Sequence, residues 1–148
     1  MFLRPRSALL TALALTFAVL PACKSSAPKQ PPQAQTAGLR IDVQKADFSQ
    51  RKQRIDVRVR VWNDHDDRVN FELGNVRLLF NGREVSPNPT MTKDPNPDVQ
   101  AKSNRTFDWA FEVGDVIGEG NYPIEIRDLK KGGLSLGEVA QFKINLGG

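Results

Sequence analysis

From residue 39 onward the chain alternates apolar and polar positions in short runs. The clearest is RIDVRVRVWN at 54–63: Ile55, Val57, Val59 and Val61 fall on one face, and Arg54, Asp56, Arg58, Arg60 and Trp62 on the other. Period two over eight residues, rich in Val, predicts a half-buried strand. FDWAFEV repeats the pattern with Phe107, Trp109, Phe111 and Val113, YPIEIRD with Tyr122, Ile124 and Ile126, VAQFKINL with Phe142, Ile144 and Leu146, and LRIDV with Leu39, Ile41 and Val43. In RVNFELGNVRLLFNG the phase flips. Val69, Phe71 and Leu73 are odd-numbered, Val76, Leu78 and Phe80 even, and the change falls at Gly74-Asn75. One extra residue in a continuous strand would do this, and so would a two-residue hairpin. Asn81-Gly82 then predicts a turn into a short edge strand, REVSP, closed by Pro87. No segment carries a helical period.

About seven strands result, separated by Gly, Pro, Asn and Asp. Each has one wet face, so two antiparallel sheets must bury their apolar faces against each other. The expected fold is all-β, an antiparallel two-sheet immunoglobulin-like sandwich. Trp109 shares its face with Phe107, Phe111 and Val113 and should be buried; Trp62 lies on the wet face. Tyr122 follows Gly118 and Gly120 at a strand start, the position of a tyrosine corner, and a plain core aromatic fits equally.

Upstream of residue 39 the pattern changes character. MFLRPR carries Arg4 and Arg6 without an acid, and an apolar run follows that ends at Pro21. It is too short to span a bilayer, which takes about 20 apolar residues, and has the charge and length of an export signal. The small Ala22 precedes Cys23, the only cysteine. KSSAPKQPPQAQTAG then holds neither acid nor aromatic and three prolines, the composition of a disordered tether. The organisation read from this is a signal peptide over 1–22, Cys23 and a tether over 23–38, and a sandwich over 39–148.

Charge narrows the partners. The formal net charge is +4, from 21 basic and 17 acidic residues. Four of the basic residues, Arg4, Arg6, Lys24 and Lys29, lie before residue 39, whereas every acid lies beyond residue 41. The folded part is therefore near neutral, and nucleic acid is not an expected partner.

Leu20, Pro21, Ala22 and Cys23 resemble the lipobox of bacterial lipoproteins. The resemblance implies cleavage before Cys23, a diacylglycerol thioether on its sulfur, a fatty acid such as palmitate on its amino group, and the membrane as a partner through that anchor. By the same analogy Lys24, where Asp would retain the protein, favours the outer membrane. The domain also resembles a family of bacterial envelope domains of unknown function with an immunoglobulin-like fold. The likeness rests on VRVRVWN, on Gly82 followed by Pro87, on FDWAFEV, and on Gly120 with Tyr122. It implies an extracytoplasmic binding or structural module and brings no catalytic residues.

Candidate chemistry is sparse. The only histidine, His65, sits in NDHDD without a serine elbow motif, and reads as a turn residue. No enzyme activity and no cofactor are expected. The wet face of 54–62 offers Arg54, Arg58, Arg60 and Trp62, a pattern that binds a glycan or an acidic partner or serves as a solvated face. The long proline-rich stretch 88–104 is either a functional loop or surface decoration. If Gly74-Asn75 is a bulge, loops 63–68, 88–104 and 129–137 share one end of the sandwich. Asp64, Asp66, Asp67, Asp94, Asp98 and Asp128 would then be weak calcium candidates, facing the membrane because the tether leaves at that end. The function expected is a lipid-anchored envelope module that binds a protein or glycan, or else a scaffold subunit of an envelope assembly.

Overall fold

A computed structural model describes residues 34–92, 94 and 97–147. The export signal, Cys23 and residues 24–33 of the tether lie outside the described residues. The strands are β1 (Ala34–Thr36), β2 (Leu39–Ser49), β3 (Arg54–Asn63), β4 (Val69–Asn70), β5 (Val76–Phe80), β6 (Arg83–Val85), β7 (Asp98–Val99), β8 (Asn104–Glu112), β9 (Gly120–Ile126), β10 (Lys130–Lys131), β11 (Leu134–Ser135) and β12 (Ala140–Leu146). All pairings are antiparallel, in the orders β1-β2-β3-β8, β12-β9-β5-β6 and β11-β10-β4-β7.

The first two sheets are the expected sandwich, and their order is of immunoglobulin type. Their inner faces supply the core: Ile55, Val57, Val59, Val61, Phe107, Trp109 and Phe111 from one sheet, Val76, Leu78, Ile124, Ile126, Phe142 and Ile144 from the other. Trp109 is 1% exposed, stacks on Phe107 at 5.9 Å, meets Phe71 edge-on at 6.3 Å and reaches across to Phe142 at 6.4 Å. Trp62, on the outer face, is half-buried. The Tyr122 hydroxyl donates to the Gly118 carbonyl at 2.8 Å, four residues upstream, so the tyrosine-corner geometry is present.

Several expectations change. Of the two-residue strands of the third sheet only β4 falls in a run read as a strand, RVNFEL; the sheet gathers segments 64–72, 97–103 and 127–135 at one end. Gly74-Asn75 is neither a bulge nor a hairpin. Leu73–Asn75 forms one 3-10 turn, through which the chain passes from the small sheet to β5, and this is what flips the phase. The bulge lies instead in β2, between Val43 and Lys45. A short strand, β1, precedes residue 39. Ala37 and Gly38, at φ 50° and 68°, make the two-residue turn that folds β1 back onto β2. β1 runs back from the loop end, with Ala34 opposite Ile41.

Candidate functional site

β3 is a central strand, so its outer face is flanked by β2 and β8. Register decides what stands there. Lys45, Arg58 and Asp108 form one cross-strand row, and Asp47, Asp56 and Ala110 the next. Like charges stand directly opposite at Lys45–Arg58 and Asp47–Asp56, and each is offset by a partner of opposite sign, across the strands for Arg58 and along the strand for the others. Arg58 forks onto Asp108 at 2.6 and 3.3 Å, Arg54 meets Asp56 at 2.8 Å, and Lys45 meets Asp47 at 2.6 Å. The carboxylate of Asp108 raises the Arg58 pKa further above its ordinary value, first by hydrogen bonding and then by charge. Arg60 donates to the Gln44 side-chain oxygen at 3.2 and 3.3 Å, in the amide orientation that satisfies both groups. Trp62 is covered by Arg40, whose guanidinium lies 5.0 Å from the ring centroid and is itself held by Asp64 at 2.9 and 3.2 Å.

The four residues singled out in the sequence thus share one face, each with a partner drawn from another part of the chain. What the sequence did not show is the wall beside them. Asn88 donates its N–H to the Ala110 carbonyl at 2.7 Å, which docks the long loop on β8, the last strand of this sheet. Its side-chain oxygen accepts from the Thr90 N–H and hydroxyl at 2.9 and 2.7 Å, and its carbonyl from the buried Thr92 at 2.9 Å. These bonds hold 88–92 as a tight turn that covers Ala110 and sets Met91, 45% exposed, with its sulfur 3.3 Å from Arg54 Nη1. The two features singled out separately, the face and the loop, meet here. Between them lies a depression of about 260 Å³ lined by Lys45, Asp47, Asp56, Arg58, Met91 and Asp108, with Ala110 beneath.

The carboxylates proposed for calcium are placed otherwise. Asp64 pairs with Arg40, Asp66 with Lys102 at 3.1 Å, and Asp128 with Lys130 at 3.5 Å. Asp94 and Asp98 both hold Arg105. Asp67 contributes its carbonyl to Asn63. Among the described residues no three acid, His or Cys side chains come close enough to hold a metal ion. His65 is structural in its contacts: its N–H donates to Asn63 Oδ1 at 2.9 Å and its Nε2 lies 2.9 Å from the Ala37 carbonyl, against Gly38. Asn63, 1% exposed, donates to the carbonyls of Asp67, Val99 and Gln100, so one buried amide ties β3 to both neighbouring loops.

No family model matches the chain, and no curated protein matches it. Solved structures do. A Bacillus subtilis protein, ycdA, provisionally described as a lipoprotein, superposes with a TM-score of 0.55 at 13% identity over 78% of this chain. The chain spans 38% of the length of that protein. The yjhA protein of Bacillus subtilis superposes with a TM-score of 0.47 at 15% identity, over 64% of this chain and 76% of its own. At such identity the first likeness establishes the sandwich fold.

Proposed function

We propose that the protein is a lipid-anchored, extracytoplasmic binding module and not an enzyme, and that it takes its partner on the outer face of β2-β3-β8. The observation that carries this is the convergence of Met91 and the ordered 88–92 turn on the charged face, around the depression. Three bases, Lys45, Arg54 and Arg58, are matched by three acids, Asp47, Asp56 and Asp108, in ion pairs across that face. A polyanion would have to displace those acids, so the matching partner is polar and uncharged overall: a glycan or a neutral polar stretch of an envelope protein. The Cys23 motif supports the anchor, and the provisional description of ycdA agrees with it.

Two experiments test the reading. Cys23→Ser should abolish metabolic labelling with palmitate and release the protein from membranes; unchanged labelling would remove the anchor. A photoreactive residue at Met91 should give discrete adducts in intact envelopes, and one at the distant Glu138 should not. Exchanging charges as Arg58→Asp with Asp108→Arg keeps the ion pair but inverts what a ligand meets, and should abolish the Met91 adducts. Adducts that survive the exchange would place binding elsewhere. The scaffold reading keeps one observation in its favour, the open margin of β2.

A further inference from the structure

β2 is covered on its outer margin for only part of its length. Over Leu39–Ile41 it is paired by β1, and Thr36 of β1 also reaches the opposite sheet: its hydroxyl donates to the Val139 carbonyl at 3.4 Å and accepts the Gln141 N–H at 3.3 Å. β1 thereby closes the seam between the two sheets, and Leu39 and Ile41 beneath it are 0% exposed. Beyond Ile41 the described residues of β2 pair with β3 only. The inward residues there, Val43, Ala46 and Phe48, are half-buried, and the seam opens into a groove of about 400 Å³ lined by apolar Phe48, Ile117 and Leu146 and by polar Asp47, Glu119 and Asn145.

We infer that the open margin of β2 is an interface between two copies of this chain, joined antiparallel about a two-fold axis at Ala46. Charge selects that occupant. Lys45 and Asp47 stand on the outer side of the strand, 65% and 56% exposed in their side chains. In an antiparallel pair centred on Ala46, Lys45 faces Asp47 of the second copy, and Asp47 faces its Lys45. Both cross-strand pairs are then of opposite sign, an arrangement that stabilises a sheet. One residue to either side the register is unfavourable, with Lys45 or Asp47 set against its own copy. A charged, bulged margin disfavours foreign strands, which do not present an acid and a base in the order that completes both cross-strand pairs. A second copy brings the matching acid. The small side chain at position 46 lets the two backbones approach, and the eight-strand sheet that results covers both grooves.

The test is disulfide trapping in intact envelopes, with the full-length protein. Residues directly opposite in an antiparallel pair have Cα atoms about 4.5–5.5 Å apart, within disulfide reach. Ala46→Cys should give a covalent dimer on mild oxidation. Asn81→Cys, in the exposed β5–β6 turn, and the parent chain with Cys23 as its only cysteine should not. Lys45→Asp and Asp47→Lys should each lower the yield roughly tenfold, and the two together should restore it. Lys45 and Asp47 lie on the exposed face and Ala46 packs only against the rim of the core, and tryptophan fluorescence melts check that the variants fold. A yield at position 46 no higher than at position 81 overturns the inference, as does a yield indifferent to the charge reversals. A cysteine at 46 that neither crosslinks nor reacts with maleimide also overturns it, and assigns the groove to the chain's own proline-rich segment or to a foreign strand.

Discussion

Trp109 shows how much one side chain carries. It is the largest of the fully buried side chains and joins both sheets through Phe107, Phe71 and Phe142. Its indole N–H has no acceptor among the described residues. Trp109→Ala should therefore cost about 3–5 kcal/mol by cavity formation, read as a shift of the urea midpoint. Trp109→Phe should cost less, since it keeps most of the ring and removes an orphaned donor. In the parent protein acrylamide should quench Trp62 before Trp109; quenching in the opposite order would mean that the faces are reversed. At this scale the sequence was a good guide, because alternation places every residue of a long strand on one face or the other. The partners of Arg54, Arg58 and Trp62 were not legible. Asp108 is 50 residues from Arg58, and only the β3–β8 register sets them side by side.

The elements differ in how they are held. β3 and β8 pair over nine positions and announce themselves by their period. β1 is three residues long and depends on its turn and on His65. At Gly38, φ 68°, a Cβ would lie 2.3 Å from His65 Nε2. Gly38→Ala thus adds a steric clash to a left-handed backbone strain and should lower stability by more than about 1 kcal/mol. Adding His65→Ala should recover the steric part of the loss and leave the strain, which denaturation of the single and double variants would separate. If Gly38→Ala were neutral, the β1–β2 turn would not be seated against His65 in solution. Of the two-residue strands of the small sheet only β4 lies in an alternating run, at Val69 and Phe71; β7, β10 and β11 are too short to display a period. The bulge in β2 did leave a trace, in the change from odd Leu39, Ile41 and Val43 to even Ala46 and Phe48.

Over the whole molecule, charge is balanced through surface pairs. Arg40 holds Asp64 below its ordinary carboxylate pKa by hydrogen bonding, Lys102 does the same for Asp66, and Arg127 for Glu84. A carboxylate depressed in the folded state contributes stability that is present above its unfolded pKa, near 4, and is lost as pH falls through the folded value. The melting temperature should therefore stay level from neutrality to about pH 5 and decline below about pH 4. These pairs are solvent-exposed, so high salt should flatten the decline. A melting temperature that rises on acidification would contradict the assignment.

The sequence by itself determined the all-β class, the two apolar faces and the burial of Trp109. Each follows from period two and from the need of apolar side chains to leave water, which act within one strand. The tertiary structure decided which charges meet, where the 88–92 turn lands, how the chain crosses between sheets at Leu73–Asn75, and that β1 closes only part of the seam along β2. Those depend on register between strands distant in sequence. The hydrophobic drive that brings sheets together has no direction of its own, and hydrogen-bond geometry fixes the register only once they have met.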